Sequence, residues 1–221
     1  MLKTVKGKVK KFRDKRRKRV QKPDPFSVGV QHLPNVPTLI DIGVDKGTPE
    51  LWAAFPNAWL ILVEPLKESQ AYIDSILNER EGLWVEAAVG SENCRGNIHV
   101  NTHDTGKSSI PPRSELTKKS EGKEMRTVSI RTLDSIVEEN SFSKPFGIKI
   151  DTEGYELEVI KGAKKTLKES EFIIAECSVQ KRFENSYNFE DIIEEMKRND
   201  FRVGYILSSN IDKNGIIKML D

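Results

Sequence analysis

The stretch Phe146-Gly-Ile-Lys-Ile150-Asp151-Thr-Glu153-Gly154-Tyr155-Glu156-Leu-Glu-Val-Ile-Lys-Gly162-Ala163 decides the fold. Phe146–Ile150 is short and apolar, the length of a buried strand. Tyr155–Leu167 then repeats its apolar residues Leu157, Ile160, Ala163 and Leu167 at helical spacing. The unit therefore reads strand, turn, helix. It delivers two carboxylates, Asp151 and Glu153, to the carboxyl edge of the strand just before the turn at Gly154. Neighbouring carboxylates of this kind commonly have pKa values pushed apart, which suits one for accepting a proton. Glu156 reads as an ordinary first-turn acid, favoured by the helix dipole.

Outward from this unit, short apolar runs alternate with amphipathic segments. Strands are expected at Thr38–Ile42, Trp59–Glu64, Leu83–Val89 and Phe172–Cys177, with a hairpin arm at Asn97–Asn101 and Arg126–Arg131. Helices are expected at Thr48–Phe55, Lys67–Arg80, Leu133–Glu139 and Phe189–Arg198, and a terminal strand pair at Phe201–Leu207 and Ile216–Leu220. Such alternation implies an α/β domain with a mostly parallel sheet covered on both faces. Ligands of such sheets bind outside the carboxyl ends of the strands.

Two features at those ends point to a nucleoside-type ligand. The first is Asp41-Ile-Gly43-Val-Asp45-Lys-Gly47-Thr48, where Gly43 permits a tight turn and Gly47 a close backbone approach. The second is Glu64, 23 residues beyond Asp41 at the end of the second strand. An acid there can accept the hydroxyl protons of a ribose. The glycine spacing lacks the G-x-G step and third glycine of a dinucleotide fingerprint, and no Gly-Lys-Ser/Thr ends the loop as in a P-loop. The pairing of glycine loop and acid favours an adenosyl ligand.

At 221 residues the chain is one domain in size, and its composition, 37% hydrophobic and 32% charged, is that of a globular protein with a charged surface. No apolar run approaches the length of a membrane span. The two cysteines, Cys94 and Cys177, make no metal-type spacing with histidine, and a reducing cytoplasm is expected. The net charge of +2 conceals an asymmetry: residues 1–22 hold twelve Lys or Arg and one Asp, leaving −9 on the remainder. Residues 1–22 read as a basic tail, amphipathic through Leu2, Val5, Val9 and Phe12 or else disordered, suited to peripheral contact with an anionic membrane. Pro23, Pro25, Pro34 and Pro37 mark residues 23–37 as an extended linker, and the domain proper is expected over 38–221.

KIDTEGYELEVIKGA, preceded by DIGVDKG, VEP and RTLDSI, resembles the FkbM family of methyltransferases. Glu86-Ala87-Ala-Val-Gly90, Ser108-Ser109-Ile110 and Ile173-Ile-Ala-Glu176 also fit that pattern, so the resemblance spans about Thr38 to Tyr205. It implies a single Rossmann-like class I methyltransferase domain, with a mostly parallel seven-stranded sheet and an antiparallel C-terminal strand. It further implies S-adenosylmethionine as cofactor and a hydroxyl of a sugar, glycan or secondary metabolite as methyl acceptor. Asp41, Gly43, Asp45, Gly47, Thr48, Glu64 and Ala87 are the expected cofactor residues. Val44 and Asp45 replace the family's usual Ala and Asn; the Asp45 carboxylate would oppose that of the methionine moiety, and Lys46 beside it would compensate.

Oxygen methylation needs the acceptor held in line with the methyl group and relieved of its proton. Asp151 and Glu153 are the candidate bases. His103 is the alternative, within a polar stretch, Thr102–Glu124, that could fold over the acceptor as a lid. A divalent metal between Asp151 and Glu176 fits hard oxygen chemistry but nothing in the spacing requires it. Two readings from other classes compete: a nucleic-acid methyltransferase or binder, suggested by the basic tail but opposed by the acidic body, and a non-catalytic Rossmann-like scaffold, suggested by Asp45.

Overall fold

The computed structural model describes residues 25–114, 123–211 and 217–220. The basic tail expected over residues 1–22 lies outside the described residues. In chain order the elements are α1 (Pro25–Gly29), β1 (Thr38–Ile42), α2 (Pro49–Ala54), β2 (Trp59–Val63), α3 (Gln70–Leu77), β3 (Gly82–Val85), β4 (Ala88–Val89), β5 (Cys94–Asn101) and β6 (Lys123–Arg131). They continue with α4 (Leu133–Glu138), β7 (Phe146–Ile150), α5 (Glu156–Lys161), α6 (Lys164–Lys168), β8 (Ser170–Ala175), β9 (Cys177–Ser178), α7 (Phe189–Arg198), β10 (Ser209–Ile211) and β11 (Ile217–Leu220).

Five of these strands form the central sheet in the order β3-β2-β1-β7-β8, and every pairing is parallel. All residues of β1 and β7 are buried, as strands covered on both faces must be. Alternation divides the core accordingly. Ile40, Ile42, Ile61, Val63, Ile148 and Ile150 pack under α4, α5, α6 and α7. Leu39, Leu60, Leu62, Phe172 and Ile174 pack on the other face against Leu51, Trp52, Phe55 and Ile73 of α2 and α3 and their flanks. The chain winds from β1 outward to β3 on one side and resumes at β7 on the other. The order reverses between β1 and β7, and such a switch point opens a crevice at the carboxyl ends.

The structure corrects several expectations. Among the described residues the central sheet has five strands rather than seven, because β10 and β11 join β9 in a separate antiparallel ladder. Phe201–Leu207 is irregular rather than a strand, and it leaves Val203, Tyr205 and Ile206 exposed. The Leu83–Val89 run splits: β3 stays in the central sheet, whereas β4 pairs β6 beside the β5–β6 hairpin. The expected helix Tyr155–Leu167 is broken into α5 and α6 at Gly162, whose backbone lies so close to Gly90 that a Cβ there would sit 2.0 Å from its carbonyl oxygen. Within the stretch 23–37, residues 25–32 form α1 and the 3₁₀ turn Val30–His32, and Phe26, Val30, Leu33 and Val36 pack on the α2 side of the core.

Among the described residues no helix is long and apolar enough to cross a membrane. Cys94 is exposed and Cys177 buried, and neither is in a disulfide among the described residues.

Candidate functional site

The first residue beyond each of β1, β2, β7 and β8 is hooked to the end of a neighbouring strand. Gly43 N–H donates to Val63 O (2.9 Å), Glu64 N–H to Val85 O (3.1 Å), Asp151 N–H to Ile42 O (3.0 Å) and Glu176 N–H to Ile150 O (2.9 Å). These four residues thus form a row along the carboxyl edge of the sheet. Above it opens a cavity of about 460 Å³, lined along this row and by residues 43–48, Ala87, Ser108, Ser109 and Tyr155.

The glycine loop forms one wall. Gly43 (φ 79°) and Gly47 (φ 92°) both adopt the left-handed region that favours glycine. A Cβ at Gly47 would meet the Trp52 ring at 2.3 Å. Thr48 precedes α2 and lines the cavity, as do Gly43, Asp45, Gly47 and Ala87. Asp45 also has a positive φ (41°), and its side chain turns toward the segment after β5, where Oδ1 accepts from the Thr105 hydroxyl at 2.7 Å. Lys46 pairs with Asp104 of the same segment at 3.4 Å. The concern that Asp45 repels a ligand carboxylate is thus met in part by a built-in hydrogen-bond donor.

Glu64 stands across the loop, 6% exposed. Its Oε2 accepts from Asp45 N–H (3.1 Å) and its Oε1 from Leu66 N–H (2.9 Å), which fixes the carboxylate while leaving a lone pair on each oxygen. Burial pushes its pKa up to about 7, against the two backbone donors.

Asp41 does not line the cavity. It lies fully buried beneath the loop, accepts from Trp52 Nε1 (2.9 Å) and pairs with Lys149 Nζ (3.2 Å). Burial raises its pKa although Lys149 draws it down. Lys149, which sequence reasoning passed over as part of a strand, is a central residue of the site. It bridges Asp41 and Asp151 (3.4 Å) and donates to the Gly43 carbonyl at 3.3 Å. Burial works against its charge, but the carboxylates of Asp41 and Asp151 outweigh that and hold its pKa above the ordinary lysine value.

Glu153 and Asp151 both line the cavity, as expected. Glu153 has a positive φ (52°), a strained conformation for a residue with a Cβ. Burial raises its pKa, while Arg182 and Arg113 oppose the rise. Glu156 is not the surface acid the sequence suggested. It is 1% exposed and knits the turn: Oε1 accepts from Thr152 N–H, the Thr152 hydroxyl and Gly154 N–H, and Oε2 from the Tyr187 hydroxyl at 2.5 Å.

His103, the alternative base, is exposed and lies outside the cavity lining, and its backbone N–H donates to Asn101 Oδ1. The segment it belongs to does reach over the cavity, through Thr105, Gly106, Ser108, Ser109 and Ile110. Of the residues suggested for a metal, Asp151 is paired with Lys149, and Glu176 lies 3.8 Å from Arg182. Among the described residues no group of three or more His, Cys, Asp or Glu is arranged to hold a metal ion.

Residues 41–203 match the family model described as the Methyltransferase FkbM domain, which is most of the chain. The chain belongs to the FkbM methyltransferase domain family. The comparison with curated proteins gives no match. Among solved structures, a methyltransferase FkbM from Methylobacillus flagellatus KT is similar at 16% identity and a TM-score of 0.42, over 66% of this chain and 33% of that one. The chain thus spans about a third of the length of that relative. A precorrin-6y C5,15-methyltransferase from Geobacter metallireducens GS-15 is similar at 12% identity and a TM-score of 0.45, over 87% of this chain and 79% of that one. The family match covers the whole row from Gly43 through Glu176 and Asp41 beneath it.

Proposed function

We propose that this FkbM domain is an S-adenosylmethionine-dependent O-methyltransferase acting on a hydroxyl of a sugar, glycan or secondary metabolite. The observation that carries the reading is the fixed carboxylate of Glu64, held by two backbone N–H groups at the floor of a cavity whose other wall is a glycine loop. A ribose offers two adjacent hydroxyl donors, and Glu64 offers two acceptor oxygens with capacity to spare. Gly47, Thr48 and Ala87 line the same cavity and are the residues that would border the remainder of an adenosyl ligand. The bound cofactor supplies an electrophilic methyl group on a sulfonium centre.

The remaining work falls to the chain. Asp151 lies across Gly43 from Glu64 in the row, and it and Glu153 just beyond it are the carboxylates that would take the proton of an acceptor hydroxyl. The raised pKa of Glu153 makes it a stronger base than a free glutamate. The segment from Thr105 to Ile110 would exclude water above the acceptor. The Asp45–Thr105 hydrogen bond weighs against the scaffold reading, because it occupies the very carboxylate that motivated it.

Calorimetric titration with S-adenosylmethionine and S-adenosylhomocysteine tests the cofactor site. Micromolar binding by the wild type, weakened tenfold or more in Glu64→Ala, is the expected result; no binding by the wild type would sink the reading. The twelve cations of residues 1–22 support a peripheral contact with anionic membranes. Equal partitioning onto phosphatidylserine vesicles with and without that segment would defeat this part.

A further inference from the structure

Glu153 is held by two arginines that reach it from different parts of the chain. Its Oε2 accepts from Arg182 at 2.7 Å and from Arg113 at 3.2 Å. Its Oε1 accepts no hydrogen bond among the described residues. Both guanidinium groups also rest on the ring of Phe183, at 4.9 Å for Arg113 and 5.2 Å for Arg182. Phe183 is fully buried and lies against the turn itself: a Cβ on Gly154 would be 2.3 Å from its ring. The two arginines, the ring and the carboxylate therefore form one closed unit around the strained residue.

Arg113 belongs to the segment that crosses the cavity. That segment is tied to β5 through the His99–Ser109 bridge and to the chain after β9 through the Arg113–Phe183 bridge. Ser114 N–H donates to Arg182 O (2.9 Å) and Glu184 N–H to Pro112 O (2.8 Å). Arg113 also donates to the Lys107 carbonyl at 3.1 Å. Its side chain is 17% exposed and engaged with Glu153.

We propose that Arg113 is a positioning residue: it clamps Oε2 of Glu153 when the segment from Thr102 to Ser114 lies over the cavity, and so leaves Oε1 as the oxygen presented to the acceptor. This rests on the reading of Glu153 as an acceptor-side carboxylate. Two guanidiniums on one oxygen polarise the carboxylate and fix its rotation, and both are needed because Glu153 also faces the carboxylates of Asp151 and Glu156. Arg182 is shared with Glu176, which leaves Arg113 as the partner whose presence depends on the covering segment.

The test is a titration of the Glu153 side-chain carboxyl carbon by NMR of ¹³C-labelled protein, with the resonance assigned through Glu153→Gln. It is run on wild type, Arg113→Ala and Arg113→Lys, each also titrated calorimetrically with S-adenosylmethionine. Loss of Arg113 removes a cation from Glu153, so Arg113→Ala is expected to raise the midpoint by about one pH unit, while Arg113→Lys stays near wild type. Cofactor affinity is expected to hold within twofold in all three. An unmoved midpoint in Arg113→Ala overturns the proposal, as does an equal rise in Arg113→Lys. A wild type that binds no cofactor overturns the enzyme reading alone, because the titration is read without it.

Discussion

A Cβ placed on Gly43 would lie 1.8 Å from the carbonyl oxygen of Asp151. The loop after β1 and the loop after β7 thus meet backbone to backbone, with Lys149 bonded to the Gly43 carbonyl on the same side. The glycine loop and the carboxylates of Asp151 and Glu153 are in this way set at one fixed separation.

Gly43→Ala is therefore expected to be severe. The φ of 79° strains any residue with a Cβ, and the atom it would strike is backbone, with no flexible end to move aside. A loss of roughly 3 kcal/mol or more in denaturant unfolding is the expected result, together with loss of cofactor binding. A stable variant that binds normally would show that the two loops are further apart than this.

Glu64 gives a pH dependence with a definite sign. With its pKa raised to about 7, the carboxylate needed to accept ribose hydroxyls is mostly protonated at pH 6 and mostly charged at pH 8. Cofactor affinity should rise about tenfold between those values and then level off. Stability of the ligand-free protein runs the other way. The folded state keeps a proton that the unfolded chain releases above 4.5, so the contribution of Glu64 is fully present below 4.5 and is lost as pH climbs through 7. Calorimetry at pH 6, 7 and 8 checks the first statement, and a flat profile would contradict it.

Lys149→Met should strand Asp41 as a fully buried carboxylate whose remaining hydrogen-bond donor is Trp52. The expected cost is about 3–5 kcal/mol, as for breaking a buried ion pair from one side. Adding Asp41→Asn removes the stranded charge but keeps an oxygen for Trp52, and should recover at least half of the loss. Urea unfolding of the single and double variants decides it; additive losses would mean that the pair is not coupled.

Much of this was legible in the chain. Thr38–Ile42, Trp59–Glu64 and Phe146–Ile150 could be read as strands because each is a short apolar run with a turn residue behind it, and Glu64 and the glycines follow from where those runs end. Lys149 was missed although its signal was present. Asp41 and Lys149 are opposite charges, each the penultimate residue of a wholly buried strand, and the strands pair so that the two are register partners. A lone charge inside an apolar parallel strand needs a partner, and two of opposite sign imply each other. Glu156 was misread because local helix rules account for a first-turn acid without any burial, and its burial depends on Tyr187, thirty-one residues away. That His103 lies outside the cavity lining was not legible, because an imidazole in a polar loop carries no mark of its direction. The apolar content of Phe201–Leu207 suggested a strand, yet only Leu207 of Val203–Leu207 reaches the core.

The row of Gly43, Glu64, Asp151 and Glu176 has a bearing on how such a domain can diversify. Its spacing is set by backbone bonds between strand ends, so no exchange of side chains along the row alters the gaps between its members. The described part of the segment between β5 and β6 instead meets the loops beside the row through side chains, Thr105 bonding Asp45 and Arg113 bonding Glu153. Under the proposed function, new acceptors are accordingly to be sought by rebuilding that span while the sheet edge is left as it is, a division between a fixed chassis and an exchangeable cover.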